Sequence, residues 1–231
     1  MGAPSWLGIG AQRSGTAWFT GLLTQHPEVG LGSNGMKEQQ LLHKVADARA
    51  PAADYLALFP DDGIRRGDFS PQYLRHPSAG VVVPRLMPEG PIVALLRDPV
   101  ERFLSAMRLG VTRGRSQPYP IPINLQTWAG CYADQLELWS SFVGRDRLHV
   151  LVYEQVRADP QAAVDGVWSL LGVAPVPLVD VDVPSRSSSS PDAVWEWPEG
   201  MRDALRLLYR SQARRLADEW GLDVSSWESL A

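Results

Sequence analysis

The stretch "GIGAQRSGT", residues 8–16, joins an apolar run at residues 6–10 to a second apolar run that begins at Ala17. The first run predicts a buried β-strand that ends at Gly10, and the second predicts a helix that begins near Thr16. Loop amides and the positive end of a helix dipole would then meet at one point. The stretch therefore predicts an anion-binding loop between a strand and a helix.

The spacing of Gly10, Gly15 and Thr16 is close to the G-x-x-x-x-G-K-[ST] loop that binds nucleoside triphosphates. Thr16 stands where that loop has its lysine, and the cation, Arg13, lies inside the loop instead. This difference disfavours a triphosphate with Mg²⁺. The glycines alone also fit an ordinary strand-to-helix turn, but Arg13, Ser14 and Thr16 together favour an anion site.

The rest of the chain alternates between apolar runs and helical patterns, which predicts an α/β fold with a central parallel sheet flanked by helices. We expect a single domain over residues 1–231, because a chain of this length buries one core. The segment "AGVVVPRLMPEG", residues 79–90, fits either an extended run or a short helix that stops before Pro88. Strands are expected at residues 6–10, 28–31, 64–69, 91–96 and 148–153.

A second constellation lies in "LLRDPVERFLSAM". Asp98 predicts an N-cap, Pro99 the first helical position and Glu101 the other half of a capping box. Arg97 then falls at the carboxyl end of a strand, where open α/β sheets bind ligands, and Ser105 lies two turns along the helix. Both side chains could contact one phosphate, although an Arg97 ion pair and a solvated serine fit the same pattern.

Composition limits the classes of function. The formal net charge is −4, so the chain as a whole gives no electrostatic support for binding nucleic acid or an anionic membrane. One cysteine, Cys131, and four scattered histidines make a metal cluster unexpected and favour a reducing compartment. The sequence lacks a run of 18 apolar residues and a recognisable signal peptide, so we expect a cytoplasmic protein.

At this point the motifs resemble a known family, the sulfotransferases that use 3′-phosphoadenosine 5′-phosphosulfate (PAPS). "GAQRSGTAWFTGLLTQHPEV" resembles their 5′-phosphosulfate loop, and "LLRDPVERFLSAM" resembles their 3′-phosphate motif. Three further segments are similar to the heparan N-sulfotransferase-like branch, so that the resemblance covers nearly the whole chain. They are "MKEQQLLHK", "GDFSPQYLRHP" and "VLVYEQVRADP".

The resemblance implies roles for individual residues. Arg13 takes the place of the cation of the 5′ loop, Glu38 matches the general base, and Arg97 and Ser105 match the residues that hold the 3′-phosphate. The amides that would bind the 5′-phosphosulfate, together with the Thr16 hydroxyl, belong to Ser14, Gly15, Thr16 and Ala17. The family implies PAPS as donor, PAP (3′-phosphoadenosine 5′-phosphate) as product, no metal requirement and a small-molecule or carbohydrate acceptor.

The chain departs from the family pattern at two places. Where the family often has Gly-Glu-Lys-Thr-Pro, this chain has "GDFSP", so Phe69 replaces a cation that is often found near the sulfuryl group. Either Lys37 or Arg186 replaces this cation, or the transfer step is less assisted. The family's closing loop has no clear match in "PSRSSSSPDAVW", which leaves Arg186 as its candidate residue for binding the cofactor.

Several alternatives remain open from the residues alone. His43 or His76 could act as the base instead of Glu38. The proline-rich loop at residues 114–126 is either a surface connection or a rim over the acceptor pocket. A P-loop phosphotransferase using ATP and a nucleotide-binding module without catalysis are the competing functions. The sequence does not decide between oxygen and nitrogen as the sulfated atom, nor the oligomeric state.

Overall fold

The protein is described here by a computed structural model that covers residues 2–112, 125–182, 200–227 and 230. Five strands form one parallel sheet in the order β2-β3-β1-β4-β5. This confirms the predicted α/β class with a central parallel sheet. The strands are β1 (Trp6–Gly10), β2 (Val29–Leu31), β3 (Arg65–Phe69), β4 (Ile92–Leu96) and β5 (Leu148–Val152).

Helices follow the strands and cover both faces of the sheet. Alternate residues of a strand point to opposite faces, so Ile92 packs in one core cluster while Val93, its neighbour on β4, packs in another. The helices are α1 (Thr16–Leu23), α2 (Leu42–Ala46), α3 (Ala52–Leu56), α4 (Ser78–Leu86), α5 (Pro99–Thr112), α6 (Leu125–Trp128), α7 (Tyr132–Val143), α8 (Tyr153–Ala158), α9 (Pro160–Leu170) and α10 (Met201–Trp220).

The segment at residues 79–90, which fitted two interpretations, is helical over most of its length. α4 contains Pro84 and ends at Leu86, before Pro88. Val83 and Leu86 are buried in the core on one face of this helix, whereas Val81 is exposed. Packing of one helical face against the core therefore outweighs the β-branched composition.

The helix α5 begins as the sequence predicts, with one change in its cap. Oδ1 of Asp98 accepts hydrogen bonds from the amides of Val100 (2.9 Å) and Glu101 (3.2 Å). The amide of Asp98 donates to Oε1 of Glu154 at 3.2 Å. A residue of α8 thus accepts the bond that the predicted capping box assigned to Glu101, whose carboxylate lies 4.0 Å from Arg97.

Candidate active site

The predicted anion-binding loop lies at the topological switch point of the sheet, where the order of successive strands reverses. β1 pairs with β3 on one side and with β4 on the other, and the chain leaves β1 toward one edge of the sheet but leaves β4 toward the opposite edge. Ligands of open parallel sheets bind at such a switch point, outside the carboxyl ends of the strands. Residues 10–17, which we call the donor loop, and Arg97 both lie at this edge.

The backbone of the donor loop has an unusual conformation. Arg13 and Gly15 have φ angles of 72° and 80°, in the left-handed region. A Cβ at Gly15 would lie 2.4 Å from Cε2 of Tyr153, so only glycine fits against this ring. The amide of Ser14 donates to the carbonyl of Ala11 at 3.2 Å.

The amides of Gly15, Thr16 and Ala17 have a different environment. They lie at the N-terminus of α1, and no hydrogen bond within the described residues takes them up. The hydroxyl Oγ of Ser14 is buried and makes no hydrogen bond of 3.5 Å or less within the described residues, and the hydroxyl of Tyr132 is a polar neighbour. Unsatisfied donors beside a helix N-terminus fit the oxygens of a phosphate or a phosphosulfate.

Lys37 places a cation beside Phe69, the position where the family often has a cation. Its ammonium Nζ lies 3.3 Å from Oγ1 of Thr16 in the donor loop and 5.2 Å from the centroid of the Phe69 ring. That ring packs on the backbone of Gly8, where a Cβ would come within 2.2 Å of it. Burial lowers the pKa of Lys37, and Glu38 opposes this lowering. Of the two candidate replacements, Lys37 is the one within the described residues.

Glu38 lies close to the donor loop, because its carboxylate and the donor loop both contact the ammonium of Lys37. Oε1 of its carboxylate is 3.0 Å from Nζ of Lys37, the same atom that contacts Thr16. Oε2 accepts a hydrogen bond of 3.0 Å from the side-chain amide of Gln40. The side chain of Glu38 is 37% exposed, so an acceptor molecule can approach it from solvent.

A buried carboxylate that the sequence analysis missed holds this segment in place. Asp68, at the end of β3, is fully buried and accepts hydrogen bonds from the hydroxyls of Ser70 (2.7 Å), Tyr73 (2.8 Å) and Tyr55 (3.4 Å) and from the amide of Gln39 (3.3 Å). Burial raises the pKa of Asp68 to about 6, and these hydrogen bonds oppose the shift. The sequence signal was an acid at the end of a strand, two residues before a serine.

The same network binds the backbone on both sides of Glu38. The amide of Phe69 donates to the carbonyl of Lys37 (3.1 Å), and the amide of Gln40 donates to Oγ of Ser70 (3.0 Å). The Tyr73 hydroxyl accepts from the amide of Leu41 at 3.0 Å. Residues 36–41, the Lys37 segment, are therefore fixed by contacts with residues 68–73 rather than by a helix of their own.

The second predicted phosphate site is also brought to the donor loop. Nε of Arg13 donates to Oγ of Ser105 at 3.1 Å, although 92 residues separate them in sequence. The Arg97 guanidinium lies 5.4 Å from the ring centroid of Tyr153, the ring against which Gly15 packs. Arg13, Ser105 and Arg97 thus gather around the donor loop, with Tyr153 as the shared wall.

Other candidates lie elsewhere or outside the described residues. His43 and His76 stack on each other with ring centroids 5.5 Å apart, and their described ring contacts reach Tyr73, not the donor loop. Arg186 and most of the loop at residues 114–126 lie outside the described residues. No three His, Cys, Asp or Glu side chains within the described ranges could hold a metal ion. None of the helices described is both long and apolar enough to span a membrane.

With this geometry in view, comparison with known proteins assigns the chain to a class. A family model described as "Sulfotransferase family" matches residues 60–177, just over half of the chain. The chain belongs to the sulfotransferase family. This confirms the family that the motifs indicated.

A curated relative agrees with the assignment. The chain is 26% identical over 196 residues to the mouse (Mus musculus) bifunctional heparan sulfate N-deacetylase/N-sulfotransferase 4, an alignment that covers 74% of this chain and 22% of that protein. The chain therefore spans about a fifth of the length of this curated relative.

Solved structures of sulfotransferases share the fold. A sulfotransferase from Alicyclobacillus acidocaldarius superposes with a TM-score of 0.76 at 20% identity, covering 99% of this chain and 100% of that one. The sulfotransferase domain from the curacin biosynthetic pathway superposes with a TM-score of 0.58 at 15% identity, covering 96% and 98%.

Proposed function

We propose that the enzyme transfers a sulfuryl group from PAPS to a hydroxyl or amine of a small-molecule or carbohydrate acceptor and releases PAP. The observation that carries this proposal is the position of Lys37, whose ammonium contacts both Thr16 of the donor loop and the carboxylate of Glu38. One cation therefore joins an anion-binding loop to a candidate base. A sulfuryl donor and its acceptor need these two features side by side.

The residues of the chain fit PAPS. The amides of Gly15, Thr16 and Ala17, which have no hydrogen-bond partner within the described residues, would bind the 5′-phosphosulfate together with the buried Ser14 hydroxyl. Arg97 and Ser105 would bind the 3′-phosphate, and Arg13, bonded to Ser105, would bridge the two ends. When bound, PAPS supplies the sulfuryl group and leaves as PAP.

The cations act on the charge that develops during transfer. Sulfuryl transfer, like phosphoryl transfer, has a loose in-line transition state in which negative charge builds on the leaving oxygen. Lys37, Arg13 and the N-terminus of α1 hold positive charge around the donor loop, so they would stabilise this state more than the ground state. Partial burial of Lys37 strengthens the effect because less water screens its charge.

Glu38 would take the proton from the acceptor. Its two oxygens are oriented by Lys37 and Gln40, and its partial exposure leaves room for a nucleophile. General-base catalysis of this kind contributes about 10²–10⁴-fold. His43 and His76 are the competing bases, and burial lowers the pKa of both rings.

We further propose that residues 1–231 act as one sulfotransferase domain and that the enzyme works in the cytoplasm. The single cysteine of the sequence, Cys131, is buried, and burial raises the pKa of its thiol to about 11. A protonated thiol of this kind is unreactive, and the reducing compartment is supported by the cysteine count, since one cysteine cannot form an internal disulfide.

A ligand titration followed by thermal unfolding tests the donor. We expect PAP to raise the melting temperature without Mg²⁺, because a ligand that binds the folded state stabilises it by RT ln(1 + [L]/Kd). Stabilisation by ATP with Mg²⁺ but not by PAP would instead support the phosphotransferase. Transfer of ³⁵S from labelled PAPS to a panel of alcohols, phenols, amines and sugars then separates an enzyme from a non-catalytic module and identifies the sulfated atom.

A further inference from the structure

Two buried arginines near the donor loop have only neutral hydrogen-bond partners among the contacts described. Arg75, in the loop after β3, donates through Nη1 to the side-chain oxygen of Gln12 and through Nη2 to that of Gln72, each at 3.0 Å. Arg102, on α5, donates to the carbonyl and the side-chain oxygen of Gln126. Arg75 is 9% exposed and Arg102 is fully buried.

The charges of these two side chains are not compensated within the described residues. No carboxylate there lies within 4.0 Å of either guanidinium, and the Nε of each is buried without a hydrogen-bond partner. Burial lowers the pKa of Arg75 to about 10, and the charge of Arg102 adds to this lowering. Burying unpaired like charges is costly, and an anion between or beside them would offset that cost.

A chain of contacts connects both arginines to the donor loop. Gln12, which binds Arg75, precedes Arg13, and Arg13 donates to Ser105, one turn of α5 beyond Arg102. Helix α6 contacts both arginines. Its Gln126 accepts a hydrogen bond from Arg102, and the indole N–H of its Trp128 donates to the carbonyl of Arg75 at 3.1 Å. The two charges therefore lie beside the donor loop.

We propose that Arg75, with the charge of Arg102 nearby, forms a subsite for an anionic group of the acceptor. This group would be a carboxylate, sulfate or phosphate. This inference rests on the proposed function and names the substrate class of the same site. A guanidinium whose partners are neutral amides can exchange one of them for a charged oxygen, and such charge-assisted bonds are the stronger ones. The acceptor would thus be an acid that carries its nucleophile a short distance from its negative group.

The same anion chemistry also belongs to the donor, so the test must separate the two sources. Inorganic sulfate is the probe, titrated by calorimetry into enzyme saturated with PAP at constant ionic strength. PAP occupies the phosphate sites of the donor, which leaves the sulfuryl position near Lys37 and the subsite at Arg75 as candidates. Arg75→Met removes the charge of the subsite, Lys37→Met removes that of the sulfuryl position, and Arg85→Met, an exposed arginine on α4, is the matched control.

We expect sulfate to bind the PAP complex of the wild type and of R85M equally. R75M should raise the sulfate Kd about tenfold or more while PAP affinity stays within about twofold, since one bond to a charged group is worth a factor of this size. R75K should be intermediate, because a lysine keeps the charge but not the guanidinium fork. R75K also serves as the decisive variant if R75M does not fold.

Other results overturn the inference. The subsite is ruled out if sulfate fails to bind the wild-type PAP complex. It is also ruled out if sulfate binds R75M and R75K as tightly as the wild type. Loss of sulfate binding in K37M but not in the Arg75 variants assigns the anion to the sulfuryl position. Weaker PAP binding in R75M assigns Arg75 to the donor. Failure of the wild type to bind PAP contradicts the proposed function separately, and sulfate titration of the free enzyme and R75M then tests the subsite alone.

Discussion

The donor loop and the Lys37 segment form the two sides of the site, and they are built in different ways. The donor loop follows β1 directly and leads into α1 through Gly15 in the left-handed region, an arrangement with a signal in the local sequence. The Lys37 segment has no regular structure between residues 36 and 41 and is fixed by hydrogen bonds to residues 68–73. In the proposed mechanism, a local motif binds the nucleotide, whereas a segment held by contacts distant in sequence carries the cation and the base.

This difference separates two kinds of consequence. Substitutions in the donor loop or in the second phosphate site should change affinity for the nucleotide. Substitutions in the Lys37 segment should change turnover while the nucleotide still binds, because the proposed interactions there matter most in the transition state.

The largest effect is expected for Glu38→Gln. A neutral amide fills the same space but cannot accept a proton, so single-turnover sulfuryl transfer should fall by about 10²-fold or more. PAP affinity should stay near the wild-type value. Glu89→Gln, on an exposed carboxylate, is the control. A variant that keeps its rate within about threefold removes Glu38 from the mechanism, and loss of rate in a His43 or His76 variant would assign the base there.

The next effect is expected for Lys37→Met. This change keeps the length of the side chain and removes the charge beside Thr16, and loss of one such stabilising group costs about 10²–10³-fold in kcat. The chain has one other lysine, Lys44, and Lys44→Met is the matched control. If K37M weakens PAP binding as strongly as it slows transfer, Lys37 belongs to the binding side and the separation fails.

A smaller effect, of the opposite kind, is expected for Arg97→Ala. The change removes a guanidinium that is 17% exposed in its side chain and lies near Tyr153. Bonds to charged groups contribute about 1.5–3 kcal/mol, so the Kd for PAP measured by calorimetry should rise about tenfold to a hundredfold. Arg85→Ala is the exposed control. Unchanged PAP affinity in folded R97A would show that Arg97 only pairs with Glu101.

Much of the fold could be predicted from the sequence, and less of the site. The five strands and the start of α5 follow from apolar runs and from the Asp98-Pro99 signal, which are local. The outcome at α4 was open because β-branched residues and a proline favour one structure while tertiary packing favours another. The bond between Glu154 and the amide of Asp98 joins residues 56 positions apart and has no local signal.

The residues of the site also differ in whether a local sequence signal predicts them. Arg13, Arg97 and Ser105 stand in motifs whose spacing can be recognised in one dimension. Lys37 was one of two candidates for the missing cation, since nothing local shows that its side chain reaches Thr16 across Phe69. The buried carboxylate of Asp68 and the buried guanidinium groups at Arg75 and Arg102 also depend on contacts distant in sequence.

The smallest effect, and the most informative one, is expected for Asp68→Asn. Asp68 contacts no reacting group in this proposal and acts as a positioning residue, so kcat at neutral pH should fall only about tenfold, less than the roughly 10²-fold lower bound for loss of a general base. Its pKa of about 6 means that the carboxylate is ionised above that pH and accepts all four hydrogen bonds. Protonation below pH 6 replaces an acceptor with a donor and loosens the backbone at Gln39.

The rate of wild-type sulfuryl transfer should therefore fall as the pH drops through about 6, and this step should be absent in D68N. Stability should change in the opposite sense. Because the pKa is raised from 3.8 in the folded state, the folded protein binds more protons than the unfolded chain between about pH 4 and 6, so ionisation of Asp68 removes stability as the pH rises through that window. Denaturant unfolding of the wild type and D68N at pH 4.5 and 7, with stopped-flow transfer rates across pH 5–8, measures both. If Asp68 has a purely structural role, the transfer rate and the stability should change in the same direction with pH. If Asp68 positions the Lys37 segment, they should change in opposite directions.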